Sequence, residues 1–496
     1  MINVPDVKLG IVVVSRDCFP IELSRKRLVK LLQVTKKAGI NMIHTETIVE
    51  NESDALKASA DLYEKGANAL VVYLGNFGPE GPTSIMIEKF HGPVMICAAA
   101  EEDGENLIAG RGDAFCGMLN LSYNLSLKKL RVHIPEKPVA LPESLMHEIA
   151  HFKKIAAAVI GVKKLKVIGF GPRPQDFYAC NAPIKPLYDL GIEVMENSEL
   201  DLLEIYKSAE NNSDVKEITK EMENELGKGN TYPDLLKKLA QYESALLKFM
   251  NDNKGSRKYI AFAGKCWPAF ERAFGFVPCY VNSRLASKGI PVACEVDIYG
   301  AVSEYIAQLA SGGPATILDI NNTVPPNMIK NAKSLEGFDF SDLFMGFHCG
   351  NTPKCCIRKD CSIKYQLIMN RLMESGREPD ITRGTLEGYL KPGDVTMFRL
   401  QGTASCEIRS YAAEGKVLNL EPNSFGSIGV IAIKGLSRFY RHVLISGGNF
   451  PHHTAIAFNH SGSVLFDAVK LLAGMNLSSP ITEKNLYSGE NPFMRS

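Results

Sequence analysis

Lys8-Leu9-Gly10-Ile11-Val12-Val13-Val14-Ser15-Arg16-Asp17 is the first regular stretch of the chain, and its reading decides the fold. An apolar, β-branched run of this length, closed by polar residues, is a strand buried on both faces, as in parallel sheets. The next hundred residues keep the same rhythm. A helical pattern over 22–38 leads to a strand-like run at 41–48, a helix over 53–65, and apolar runs at 69–74 and 93–99. Strands alternating with helices specify parallel strands joined by helical crossovers. After helical stretches at 116–130 and 142–159 the alternation restarts at 165–169 and 192–195, and continues at 259–263, 292–296 and 315–320, with a helix over 299–309. Residues 199–256 are charge-rich and amphipathic, which suits solvated helices on a domain surface. Beyond residue 390 the strands become short and closely spaced, at 395–400, 406–411, 417–420, 428–433, 441–445 and 455–458, followed by a helix over 464–473. This is the pattern of an antiparallel β domain.

The expected architecture is therefore α/β, with two Rossmann-like or flavodoxin-like parallel-sheet domains at 1–160 and 161–310. A C-terminal antiparallel β domain completes the chain at 311–496. Its length agrees, since 496 residues at about 150 per domain give roughly three. The 56 Lys and Arg against 55 Asp and Glu leave no basic field for a nucleic acid or an anionic membrane. No run of apolar residues is long enough to span a bilayer, and Met1–Asp6 lacks the features of an export signal, so a cytoplasmic location is expected. Twelve cysteines spread over this length are too dilute for a disulfide scaffold and fit a reducing compartment.

Several motifs carry chemistry. His147-Glu148-Ile149-Ala150-His151 has the spacing of a zinc-peptidase helix, with two imidazoles one turn apart and a carboxylate base between them. The same pattern fits a solvated helix face, and the third ligand of the extended motif is missing. Gly169-Phe170-Gly171-Pro172-Arg173-Pro174 comes after a strand as a dinucleotide loop would, but its prolines oppose an immediate helix. His348-Cys349, Cys355-Cys356 and Cys361 form the densest thiol cluster, without the paired spacing of a zinc knuckle. His348 alone remains able to face an active site. Arg16 and Asp17 end the first strand, where open α/β sheets bind ligands.

Ala293-Cys294-Glu295-Val296-Asp297 reads as an apolar strand whose two-residue period puts both acids on one side of the sheet. Asp319 lies in a second apolar run, Thr316–Ile320. Ionised carboxylates in such runs are costly without a cation or hydrogen bonds. His452 and His453 stand where the glycine-rich turn Gly447-Gly448-Asn449 enters a strand. Two carboxylates joined to an imidazole would make an oxygen-rich site suited to Mn²⁺.

In blocks, the sequence resembles the L-fucose isomerase and L-arabinose isomerase superfamily. The blocks are Lys265-Cys266-Trp267-Pro268, Phe274-Gly275-Phe276-Val277-Pro278-Cys279, Gly289 to Ala301, Leu318-Asp319, Pro392 to Leu400 and His452-His453-Thr454-Ala455-Ile456. The likeness spans essentially the whole chain and is strongest from residue 264, and it implies two α/β N-terminal domains and a C-terminal antiparallel β-barrel-like domain. In the fucose isomerases a glutamate, an aspartate 24 residues later and a late histidine hold the metal. The resemblance thus implies Glu295, Asp319 and His453 as metal ligands, with Glu295 and Asp319 also exchanging acid and base roles. It further implies an aldose-ketose isomerase working through an enediolate, with L-fucose or D-arabinose as substrate. Arg16, Trp267 and His452 become substrate contacts under the same resemblance, Trp267 serving equally well in packing. A homo-oligomer, trimer or hexamer, is implied, with a neighbour's first domain over the site. The His-His pair is closer to arabinose isomerases, and His348 resembles a histidine ligand there. Glu414-Gly415-Lys416 replaces a segment that carries tyrosine in fucose enzymes, and an inward Lys416 would admit an anionic substituent. A zinc peptidase and a non-catalytic sugar-binding protein are the alternatives.

Overall fold

The computed structural model describes residues 1–329, 335–482 and 486–494. Two compact units emerge. The smaller comprises Pro5–Ile160 with Asp467–Met475, and the larger Met1–Val4, Gly161–Phe466 and Asn476–Phe493.

The smaller unit is built on β1 (Leu9–Val14), β2 (Ile43–His44), β3 (Ala69–Leu74), β4 (Val94–Ala99) and β5 (Val139–Ala140). They form one sheet in the order β2-β1-β3-β4-β5, and the pairings of β1 to β4 with their neighbours are all parallel. This is the flavodoxin-like order, with its topological switch between β1 and β3. Every residue of β1, β3 and β4 is buried, as the unbroken apolar runs require. The 41–48 segment is strand only at β2, where one edge of the sheet meets solvent.

The larger unit holds two sheets. The first contains β6 (Leu165–Gly171), β7 (Glu193–Ser198), β8 (Tyr259–Ala263) and β9 (Val292–Ala293), parallel and ordered β7-β6-β8-β9. The amphipathic helices expected over 199–256 are present, at Glu199–Ser208, Val215–Leu226 and Leu236–Asn253. Their apolar stripes, including Ile218, Met222, Leu239 and Leu246, bury against Phe262 and Phe276 in one core.

The second sheet comprises β10 (Ala315–Asn322), β11 (Leu343–His348), β12 (Ser362–Tyr365), β13 (Arg383–Tyr389), β14 (Gly393–Gly402), β15 (Ile408–Val417), β16 (Ser427–Ile433) and β17 (His453–Ala457). Its order is β11-β10-β17-β14-β15-β16-β13-β12, and β11 also pairs with β16. Strand pairing therefore runs in a circuit through β11, β10, β17, β14, β15 and β16. The circuit is uneven, because β14 and β15 match over ten residue pairs while β15 and β16 match over three.

Three expectations are corrected. The separate strands expected at 406–411 and 417–420 are one strand, β15, because the run between them stays extended and paired with β14. Residues 441–445 are not a strand: Leu436–Phe439 and Tyr440–Ile445 are helical, burying Leu436, Phe439 and Leu444 at helical spacing while Tyr440, Arg441 and His442 face solvent. Residues 293–297 are not a continuous strand either. Strand β9 stops at Ala293, and the chain turns through Glu295 and Val296, whose φ angles are +52° and +57°. Side chains rarely take this left-handed backbone, and it is held here only because the surrounding contacts fix it.

Candidate active site

Each functional side chain arrives on a different segment of the larger unit. Asp319 lies on β10 directly opposite His453, the first residue of β17, and Phe347 of β11 is its partner on the other side. His348 ends β11. Glu295 comes from the turn after β9. Antiparallel pairing thus sets the Asp319–His453 register, and the left-handed turn swings Glu295 toward the same place.

There the groups converge. His453 Nε2 lies 3.3 Å from Glu295 Oε2 and 3.5 Å from Asp319 Oδ1, while His452 Nε2 lies 3.7 Å from the same Asp319 oxygen. Ligand atoms of Asp319, His348 and His453 fall within 4.8 Å of one another, as do those of Cys294, Glu295 and His348. Glu295 Oε2 and Asp319 Oδ1 are buried and have no hydrogen-bond partner among the described residues. Two orphaned carboxylate oxygens facing one imidazole nitrogen are what a divalent cation would satisfy, so the residues present fit a metal.

The nitrogen's availability has a structural cause. Asp297 Oδ2 lies 2.8 Å from His453 Nδ1, and a carboxylate can only accept, so Nδ1 keeps its proton and Nε2 is the nitrogen whose proton a cation would displace. Asp297 is itself anchored. Arg399 donates to both of its oxygens at 2.6 and 2.9 Å, and the Gly300 N–H donates at 2.8 Å, making Asp297 the N-cap of the helix Ile298–Ser311. The two acids read as sharing a strand face therefore divide their work: Glu295 faces the site, and Asp297 supports the imidazole from behind. Arg399, fully buried in β14, was the sequence signal for this support. A buried guanidinium in the apolar run Val395–Leu400 requires a carboxylate.

His348 is set the other way. The Cys349 N–H donates to His348 Nδ1 at 2.9 Å, so a neutral ring carries its proton on Nε2. Of the two buried imidazoles, His453 offers its Nε2 to a cation and His348 an N–H.

The charges reflect this arrangement. Burial by itself would raise the Glu295 carboxyl, but His453, with His348 and His452, holds it below its ordinary range. Burial opposes ionisation of Asp297 as well, yet Arg399 and His453 hold it far below the carboxylate range. Burial disfavours a charged His453, and Asp297, Cys180 and Glu295 overcome this to raise it well above an ordinary histidine. His452 is lowered, by burial first and then by His453.

An aromatic wall stands beside the cluster. Phe177 meets Trp267 edge-on with ring centres 6.1 Å apart and His452 at 5.5 Å. The other sequence candidates lie elsewhere. Lys416 is paired with Glu336 at 3.2 Å and lies 4.0 Å from Asp394, and no residue of the cluster is among these partners. Arg16 belongs to the smaller unit, at the switch between β1 and β3. Its backbone N–H donates to Asn76, its side chain pairs with Glu80, and its guanidinium lies 4.7 Å from the Phe77 ring centre. The peptidase motif does not assemble: His147 is exposed, Glu148 is buried, and His151 lies 3.2 Å from Asp467. Among the described residues, every group able to hold a metal contains His348 or His453.

The chain is similar to known sugar isomerases. Residues 10–163 match the family described as Fucose/sulfoquinovose isomerase, N-terminal domain, and residues 346–478 that described as L-fucose isomerase, C-terminal domain. The chain is similar to the sulfoquinovose isomerase of Alkalicoccus urumqiensis, 24% identical over 306 residues, covering 61% of this chain and 62% of that protein. It is similar to the sulfoquinovose isomerases of Priestia aryabhattai, 23% identical over 69% of each chain, and of Clostridium sp. (strain MSTE9), 23% identical over 63% of this chain and 65% of that one. The match to the Alkalicoccus protein thus spans less than two thirds of that relative's length.

Proposed function

Because the chain belongs to the fucose isomerase-like superfamily, we propose that it is an aldose-ketose isomerase acting on a free sugar, with Mn²⁺ held by Glu295, Asp319 and His453. One observation carries the reading: the buried oxygens Glu295 Oε2 and Asp319 Oδ1 converge on Nε2 of His453, at 3.3 and 3.5 Å. A bound divalent cation would polarise the sugar carbonyl and stabilise the oxyanion that develops during isomerisation.

The chain's own groups supply the rest. Isomerisation moves a proton from C2 to C1 and another from the O2 hydroxyl to O1, through an enediolate. Glu295 and Asp319 are the two bases, one taking the carbon-bound proton and returning it to the neighbouring carbon, the other moving the hydroxyl proton. His348 donates its N–H to a sugar oxygen. Trp267, with Phe177, presents an apolar wall to the sugar face, His452 bonds a hydroxyl, and Arg16 reaches substrate in the assembled enzyme. The enzyme acts in the cytoplasm as a homo-oligomer, a trimer or hexamer.

L-Fucose or D-arabinose is the first reading of the substrate. Sulfoquinovose is the second, favoured by the names of the relatives and of the N-terminal family. An aldose panel containing L-fucose, D-arabinose, L-arabinose and sulfoquinovose, assayed with Mn²⁺ and then with chelator, tests the proposal. Ketose formed from one of them and lost on chelation is expected. No conversion of any sugar would refute it.

A further inference from the structure

The thiol cluster at 355–361 has no part in aldose-ketose isomerisation, and it does not gather as a metal site. Its surroundings are distinctive. The sulfurs of Cys355 and Cys356 lie 3.7 Å apart in the short turn Lys354–Cys356, with Cys355 exposed and Cys356 buried. Cys355 opens into a cavity of about 500 Å³ whose walls include four cations, Lys354, Arg358, Lys359 and Lys391.

The balance of charge in this cavity is positive. Its one carboxylate, Glu225, is bound to Arg284, and Arg358 is held by Glu421 and Asn419. Lys391 Nζ donates to the Cys355 carbonyl at 2.5 Å, which keeps its charge beside the thiol. Lys354 and Lys359 have no ion-pair partner among the described residues. A pocket of this size and sign suits a small, multiply anionic ligand. The Cys356 sulfur, 3.7 Å away and able to donate its S–H, and the nearby Lys391 both favour a Cys355 thiolate, the form that attacks disulfides.

We propose that this cavity receives an acidic low-molecular-weight disulfide of the glutathione disulfide class, and that Cys355 keeps one half of it as a mixed disulfide. The Cys355 thiolate attacks one sulfur of the ligand. A bond from Cys355 Sγ to that sulfur forms as the ligand's own S–S bond breaks, and the other half leaves as a thiolate that takes up the proton Cys355 gave up. Cys355 is oxidised and the departing half reduced, so no further oxidant is needed. Cys356 is a poor resolving thiol despite its closeness, because adjacent Cα atoms are about 3.8 Å apart, short of the roughly 4.4 Å that an unstrained disulfide needs. The mixed disulfide therefore persists.

The test is exposure of the reduced full-length protein to glutathione disulfide or to cystamine, a cationic disulfide, with intact mass and peptide mapping over time. Cys18 and Cys116, also exposed, serve as internal references. Cys355 is expected to react with glutathione disulfide roughly tenfold or more faster than with cystamine, a preference the reference thiols lack. Replacing Lys354, Lys359 and Lys391 together by glutamine should remove the preference while circular dichroism stays unchanged. Equal labelling of the three exposed thiols, an equal rate with cystamine, or an internal Cys355–Cys356 disulfide as the product would each overturn the proposal.

Discussion

Glu295 and Asp297 are two residues apart and do opposite things, and the difference can be measured. Glu295→Gln keeps the shape but removes a charge from the metal set, so Mn²⁺ binding monitored by calorimetry should weaken sharply and ketose formation should cease. Asp297→Asn leaves all three ligands in place. It should still lower Mn²⁺ affinity, by about 10- to 100-fold, because the amide no longer fixes the proton on His453 Nδ1. Unchanged binding in Asp297→Asn would show that the carboxylate does not orient the ring. Proton linkage gives a third expectation. Neighbouring carboxylates raise His453 well above its ordinary range, so the metal-free ring is protonated near neutral pH and must lose a proton when a cation binds. Affinity should therefore fall as pH falls, by about tenfold per pH unit for one displaced proton. Calorimetry in buffers of different ionisation enthalpy should show about one proton released per ion, and a pH-independent affinity would count against His453 as a ligand. At this scale the sequence was informative about Glu295, Asp319 and His453, through acids and imidazoles set in apolar runs. It did not convey the role of Asp297, because a period-two reading cannot anticipate two consecutive left-handed residues.

The helix Ile298–Ser311 is coupled to the site through its first turn. A Cβ at Gly300 would lie 2.5 Å from Asp297 Oδ2, the oxygen that contacts His453. Gly300→Ala should displace that carboxylate and reproduce the loss of Mn²⁺ affinity of Asp297→Asn, although residue 300 touches no ligand. Retained affinity would mean that the cap adjusts without moving the imidazole. The central parallel strands β1, β3 and β4 were legible because a strand buried on both faces leaves an unbroken apolar run, as at Leu9–Val14, whereas the two-residue edge strand β5 leaves none. Residues 441–445 were misread because five residues are too few to separate a two-residue period from a helical one. The cap at Asp297 was hidden for a related reason, since the turn before it, Cys294-Glu295-Val296, contains no glycine, asparagine or proline to mark it.

For the whole molecule, the proposed association has a surface to act through. In the smaller unit the helix Ala114–Leu127 buries Ala114, Gly117, Met118, Leu121 and Leu125, yet leaves Phe115, Leu119, Tyr123 and Leu127 between 64% and 71% exposed. Four large apolar side chains at intervals of four make a continuous stripe, of the kind that marks protein contacts. Replacing Leu119 and Tyr123 by glutamate should convert an oligomer to smaller species in light scattering after gel filtration, with the fold retained. An unaltered mass would place the association elsewhere. The α/β alternation and the strand-rich C-terminal region were readable from rhythm alone, but the strand order was not. The pairing of β11 with β16 was not, because contacts between distant strands leave no periodic trace in either.

The pairing of Asp319 with His453 joins positions about 130 residues apart in the chain. On the proposed ligand set, a growing polypeptide carries both acids long before it acquires the imidazole that completes the set. Ion capture thus becomes a clock for maturation: a ribosome-bound chain halted before β17 would be blind to manganese, and the finished one would register it only once its last strand had docked.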